Sequence, residues 1–126
     1  MATIELNEQN FEPTIVDNDI VIIDYWASWC GPCKAFAPTF EAASEKHEDV
    51  VFGKVDTEAQ PGIAGAFQIR SIPTLMIFRE KILVFRQAGA LPAAAVDEVL
   101  GKVKELDMDD VRKQIEAAKA AEQSEG

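Results

Sequence analysis

With 126 residues, 48% hydrophobic and 27% charged, the chain has the size and makeup of one globular domain with enough core to fold without staples. Its net charge of −10 argues against generic binding to nucleic acid or to an anionic membrane surface, both of which need clustered Lys and Arg, and it favours basic partners. No apolar run approaches the roughly 18 residues of a membrane span, and the opening MATIELNEQNFE lacks an export signal, which points to the reducing cytoplasm.

In chain order, residues 2–6 read as a short edge strand. Asn10 is placed to cap a helix through Asp17, with Pro13 tolerated in its first turn. Residues 20–26, IVIIDYW, open with four β-branched residues and read as a buried central strand. A helix follows from about Pro32 to His47, with Phe36, Phe40, Ala43 and His47 along one face and a kink expected at Pro38. His47 reads as a surface residue at that helix end. Residues 50–56 form a second buried strand, and Gln60 to Phe67 a short helix with Pro61 near its start. Pro73–Arg79 and Ile82–Gln87 are two strands joined at Glu80-Lys81. That pair is not the Asn-Gly or Asp-Gly type that defines a tight hairpin turn. Pro92 opens a helix to about Leu106, with Val96, Val99, Leu100 and Val103 facing inward. Alternating strands and helices imply a parallel α/β core, to which the closing hairpin adds an antiparallel edge. From Asp107 the composition changes: Asp109 or Asp110 caps a further helix with a thin stripe of Val111, Ile115 and Ala118. The final AAEQSEG reads as disordered.

Both cysteines of the chain lie in Trp29-Cys30-Gly31-Pro32-Cys33, at the junction of the central strand and the helix after it. Two intervening residues bring the sulfurs within bridging reach on one helical turn. A helix N-terminus favours the thiolate, which is the attacking species. Cys30, on the exposed N-terminal side, reads as the nucleophile, and Cys33 as the thiol that resolves the mixed disulfide. A purely structural bridge is the plainer alternative. A closed zinc site fails, because two Cys and His47 leave one ligand missing. Asp24 follows four Ile/Val residues, so its carboxyl is costly to bury charged and its pKa should rise. A buried acid near Cys33 is suited to exchange its proton. Gly31 lets a substrate backbone approach, and Pro32 fixes the loop.

The segments IDYWASWCGPCK, GKVDTEAQPGIAGAFQIRSIPTL and QAGAL occur in this order, and residues 5–105 resemble the thioredoxin family. The resemblance implies an α/β thioredoxin fold: a central mixed β-sheet of four to five strands, helices on both faces, and an extra C-terminal helix. Residues 1–106 would form the domain, and 107–126 an extension made of a short helix and a disordered tail. It implies a protein-disulfide reductase, a cytoplasmic monomer with no bound cofactor. Electrons would come from NADPH through a thioredoxin reductase and pass to disulfide-containing protein substrates. Carried onto this chain, it gives Asp24 a proton-transfer role and makes Lys54 the neighbour that tunes it. It makes Pro73 a cis proline packed against the sulfurs, and has Ile72 bind substrate through its main chain. Trp29, Gly31, Pro32, Thr74 and Gly89 would shape the substrate surface, and Trp26 would be core packing. Oxidase and isomerase relatives carry His where this chain has Pro32, which favours reduction. The remaining alternative is a non-catalytic binding or chaperone module. Tyr25 in place of Phe departs from the family and needs a partner for its hydroxyl if buried.

Overall fold

The computed structural model describes residues 2–125. The strands are β1 (Thr3–Glu5), β2 (Ile20–Trp26), β3 (Val51–Asp56), β4 (Thr74–Arg79) and β5 (Ile82–Ala88). The helices are α1 (Phe11–Asp17), α2 (Gly31–Lys46), α3 (Pro61–Ala66), α4 (Ala93–Glu105) and α5 (Met108–Glu125). The five strands make one mixed sheet in the order β1-β3-β2-β4-β5, with β1, β3 and β2 parallel and the β4–β5 hairpin antiparallel.

Strand alternation divides the core in two. Ile20 and Ile22 of β2 and Phe52 of β3 face Phe36 and Phe40 of α2 and Val96, Leu100 and Val103 of α4. Val21, Ile23 and Tyr25 face the opposite way, against Ile15 of α1 and Ile63 of α3. Asp24 shares the parity of Ile20 and Ile22, so it lies on the face covered by α2. In register, Asp24 stands beside Lys54 of β3 on one side and Leu75 of β4 on the other, and Glu5 of β1 stands beyond Lys54.

Several local details differ from the sequence reading. Asn10 occupies the first cap position of α1, but its side chain accepts from the Asn7 N–H and donates to the Glu5 carbonyl, so it shapes the entry turn and caps nothing. Pro92 stands just before α4, outside its first turn. Asp107, two to three residues earlier than expected, accepts the Asp109 and Asp110 N–H groups and starts α5. That helix runs to Glu125 and covers most of the segment read as disordered; Gly126 lies outside the described residues. Glu80 and Lys81 both take positive φ, 51° and 72°, the twist a two-residue hairpin needs even without glycine. In agreement with that reading, Pro38 lies inside α2, which continues to Lys46.

Arg79, at the end of β4, donates through Nη1 to the carbonyls of Val103, Lys104 and Leu106 at 2.7, 3.3 and 2.7 Å, satisfying the C-terminal end of α4. Arg112 of α5 pairs with Glu80 at 2.6 Å, and Met108 is buried. α5 is therefore fastened at the Ile20 end of the sheet, opposite the end that carries the cysteines. His47 is half-buried, not a free surface residue. Its Nε2 lies 2.8 Å from Asp97 of α4 and its ring stacks on Phe52. The Tyr25 hydroxyl is buried with no partner among the described residues, and burial pushes its pKa up.

Candidate functional site

β2 ends at Trp26, the buried Ala27 turns the chain, and Cys30 stands at the N-cap of α2. Cys30 and Cys33 are joined as a disulfide with their Cα atoms 5.2 Å apart. The Cys33 N–H donates to Cys30 Sγ at 3.2 Å. That donor is one of the first-turn amides with no intrahelical acceptor, and it points at the sulfur where a thiolate's charge would lie once the bond is reduced. Each cysteine is 4% exposed as a residue, packed with Ala27 against Trp26 and Ile72. The asymmetry between them lies in the helix-end geometry.

The Ile72–Pro73 peptide is cis, and the Ile72 carbonyl oxygen lies 3.7 Å from Cys30 Sγ. Pro73 and Thr74 are buried; the Thr74 hydroxyl donates to the Ser71 carbonyl at 2.6 Å, which ties down the loop. Gly89 donates its N–H to the Pro73 carbonyl at 2.8 Å. Its φ of +94° is one that side chains rarely adopt, and the space around it is open. On the other side of the disulfide Trp29 is 66% exposed. It lines a groove of about 170 Å³ with Thr57, Ile69, Arg70, Ser71 and Ile72. Gly31 and Pro32 are exposed at the start of α2, with open space at Gly31.

Beneath this surface Asp24 is fully buried, and neither carboxylate oxygen has a partner among the described residues. Its pKa is pushed up to about 7, chiefly by burial; the Lys54 charge opposes the rise and Glu5 adds to it. Lys54 forms no ion pair with Asp24 among the described residues. Its Nζ lies over the Trp26 ring, 5.1 Å from the centroid. The structure thus brings Cys30, Cys33, Ile72, Pro73, Trp29 and Gly89 to one surface, with Asp24, Lys54 and Trp26 on the sheet face behind α2. No three metal-ligating side chains cluster among the described residues, and none of their helices is long and apolar enough to cross a membrane.

The thioredoxin family model matches residues 2–102. The chain is 59% identical over 114 residues to the Streptomyces coelicolor protein named "Putative thioredoxin 2", covering 90% of this chain and 85% of that one. The chain belongs to the thioredoxin family. A thioredoxin of Porphyra purpurea is 36% identical over 81% of this chain and 97% of its own length. Among solved structures, a thioredoxin of Plasmodium falciparum superposes with a TM-score of 0.73 at 32% identity, over 79% of this chain and 97% of that one. Family membership and the bonded Cys30–Cys33 pair make this thioredoxin-family chain a thiol–disulfide oxidoreductase.

Four residues at the site were not read as site residues in the sequence. Thr57 donates its N–H and hydroxyl to the Trp26 carbonyl at 2.9 and 3.1 Å and lines the groove. Arg70 and Ser71 stand directly before Ile72; the Ser-Ile-Pro-Thr segment hinted at Ser71, but nothing in composition marked Arg70. Trp26, read as packing, also holds the Lys54 ammonium.

Proposed function

We propose that this chain is a protein-disulfide reductase in which Cys30 attacks and Cys33 resolves, and the observation that carries the assignment is the Cys33 N–H bonded to Cys30 Sγ at the start of α2. The Cys30 thiolate attacks a substrate disulfide, forming a Cys30–substrate bond and releasing one substrate thiolate. Cys33 then loses its proton and attacks Cys30 Sγ; the Cys30–Cys33 disulfide forms and the second substrate thiolate leaves. Two electrons pass from the dithiol to the substrate. The proton from Cys33 goes to Asp24, whose pKa of about 7 lets it take a proton and release it near neutral pH. Lys54 tempers that value.

The substrate segment lies extended beside Ile72, held by its main chain, with the cis Pro73 shaping the loop. Trp29, Gly31, Pro32 and Gly89 provide the surrounding surface. Thr74 acts through the loop, since its hydroxyl is spent on Ser71. Electrons return from NADPH through a thioredoxin reductase that docks on the same surface, and the disulfide is the only redox group required. The chain works as a cytoplasmic monomer, with residues 1–106 as the catalytic domain and 107–126 as an extension.

Reduction of insulin disulfides with NADPH and a thioredoxin reductase tests the proposal. Wild type should turn over and Cys30→Ser should not. If folded wild type fails with the reductase and also with dithiothreitol as donor, the reading is wrong and a non-catalytic binding role replaces it.

A further inference from the structure

We propose that Trp26 is a positioning residue: the face of its indole holds the Lys54 ammonium on the Asp24 side of the sheet, and so sets how readily that carboxyl exchanges a proton.

Glu5, Lys54 and Asp24 are register partners on adjacent parallel strands, so their side chains leave the sheet on one face, the face under α2. Lys54 therefore stands between two carboxyls of different character. Glu5 is exposed, whereas Asp24 is fully buried. A lysine ammonium is a strongly hydrated point charge on a flexible stem. Left to itself it would turn outward to water and Glu5. Instead, among the described residues the half-buried Lys54 makes no ion pair with either carboxyl, and its Nζ sits 5.1 Å from the centroid of the Trp26 ring. Trp26 is two residues beyond Asp24 on β2 and so lies on the same face. Its half-buried ring is packed against the Ala27, Cys30 and Cys33 cluster, which fixes its orientation. A cation over an indole face gains roughly 0.5–2 kcal/mol, enough to change the ratio of two lysine poses by about 2- to 30-fold. Small as it is, that preference decides where a flexible charge rests.

The charged groups facing Asp24 are Lys54 from β3 and Glu5 beyond it on β1; β4 contributes only Leu75. α2 brings Cys30 and Cys33, which titrate only when reduced. The test therefore uses the full oxidised chain, with the Asp24 carboxyl followed by carbon NMR against pH. The consequence for turnover rests on the proton-transfer role proposed for Asp24; the positioning itself does not.

Lys54→Met should move the Asp24 midpoint upward by about one pH unit, the low end of what a nearby opposite charge does, and Trp26→Leu should move it upward by up to that amount. The double variant should go no further than Lys54→Met alone, because the two residues act through one contact. Trp26→Phe, with a weaker ring face, should give a smaller upward movement. If the indole served packing alone, its loss would admit water and move the midpoint down, and that result overturns the proposal. So does an equal upward movement from Trp26→Leu in the wild-type and Lys54→Met backgrounds. Should Trp26→Leu fail to fold, the cycle built from Trp26→Phe and Lys54→Met carries the same comparison. An upward midpoint with an unchanged pH profile of insulin reduction would sustain the positioning and refute Asp24 as the proton acceptor, so the two failures are distinguishable.

Discussion

Replacing Asp24 by Asn should make the oxidised protein more stable, by an amount that depends on pH in one direction only. The folded carboxyl has a pKa of about 7 against 3.8 for an ordinary aspartate, a gap of about three pH units. Between those values the folded chain keeps a proton that the unfolded chain has lost, so stability falls as pH rises from about 4 to about 7 and levels off above. At about 1.4 kcal/mol per pH unit, the ionised group costs the fold about 4 kcal/mol at pH 8. Asn has the same shape and no charge. Its buried amide lacks a partner much as the protonated acid does, so the two proteins should match within about 1 kcal/mol at pH 4. Urea denaturation of both oxidised proteins from pH 4 to pH 9 measures the difference directly. The gap should open between pH 4 and pH 7 and reach roughly 3–4 kcal/mol by pH 8. A constant gap across that range, or a variant less stable at pH 8, would refute the claim that burial dominates this carboxyl.

Arg79→Met removes the guanidinium donor shared by the carbonyls of Val103, Lys104 and Leu106. It should cost about 3 kcal/mol and lower the thermal midpoint by roughly 10 °C, read by calorimetry. Lys81→Gly relieves a left-handed residue at φ 72° while keeping the Glu80–Arg112 pair, and should stabilise by about 1 kcal/mol in urea melts. Deleting Met108–Gly126 uncovers the site of the buried Met108 and should cost about 2–3 kcal/mol. Because α5 is fastened at the far end of the sheet, insulin reduction by that truncated chain should stay within about twofold of the full chain, a margin of less than 1 kcal/mol in barrier.

The parts of this molecule that are local in sequence were legible. The β-branched run of β2, the two-residue spacing of the cysteines and the apolar face of α2 each follow from periodicity and a short motif. What depends on distant partners was not. Asn10 has the side chain of a cap, but the Glu5 carbonyl and Asn7 N–H compete for it and win. His47 looks like a helix-end surface residue until α4 brings Asp97 to it. The helical continuation past Ala120 has little apolar periodicity to announce it. At the site, the pattern marked Asp24 as a buried acid, because its setting is its own strand. The perch of Lys54 on Trp26 needs the register of two strands, which no single segment encodes. Glu80-Lys81 shows the converse: a turn demanded by the twist of two strands overrides the preferences of the residues in it.

The central claim, that Cys30 attacks and Cys33 resolves, is tested most directly by trapping the covalent intermediate. Reduced Cys33→Ser is mixed with insulin and the adduct mapped by mass spectrometry without reductant; Cys30→Ser is treated alike. A stable adduct on Cys30 of the first variant, with little on Cys33 of the second, is the result the account requires. Adducts that form mainly on Cys33 would reverse the assignment and with it the role given to the N-terminus of α2.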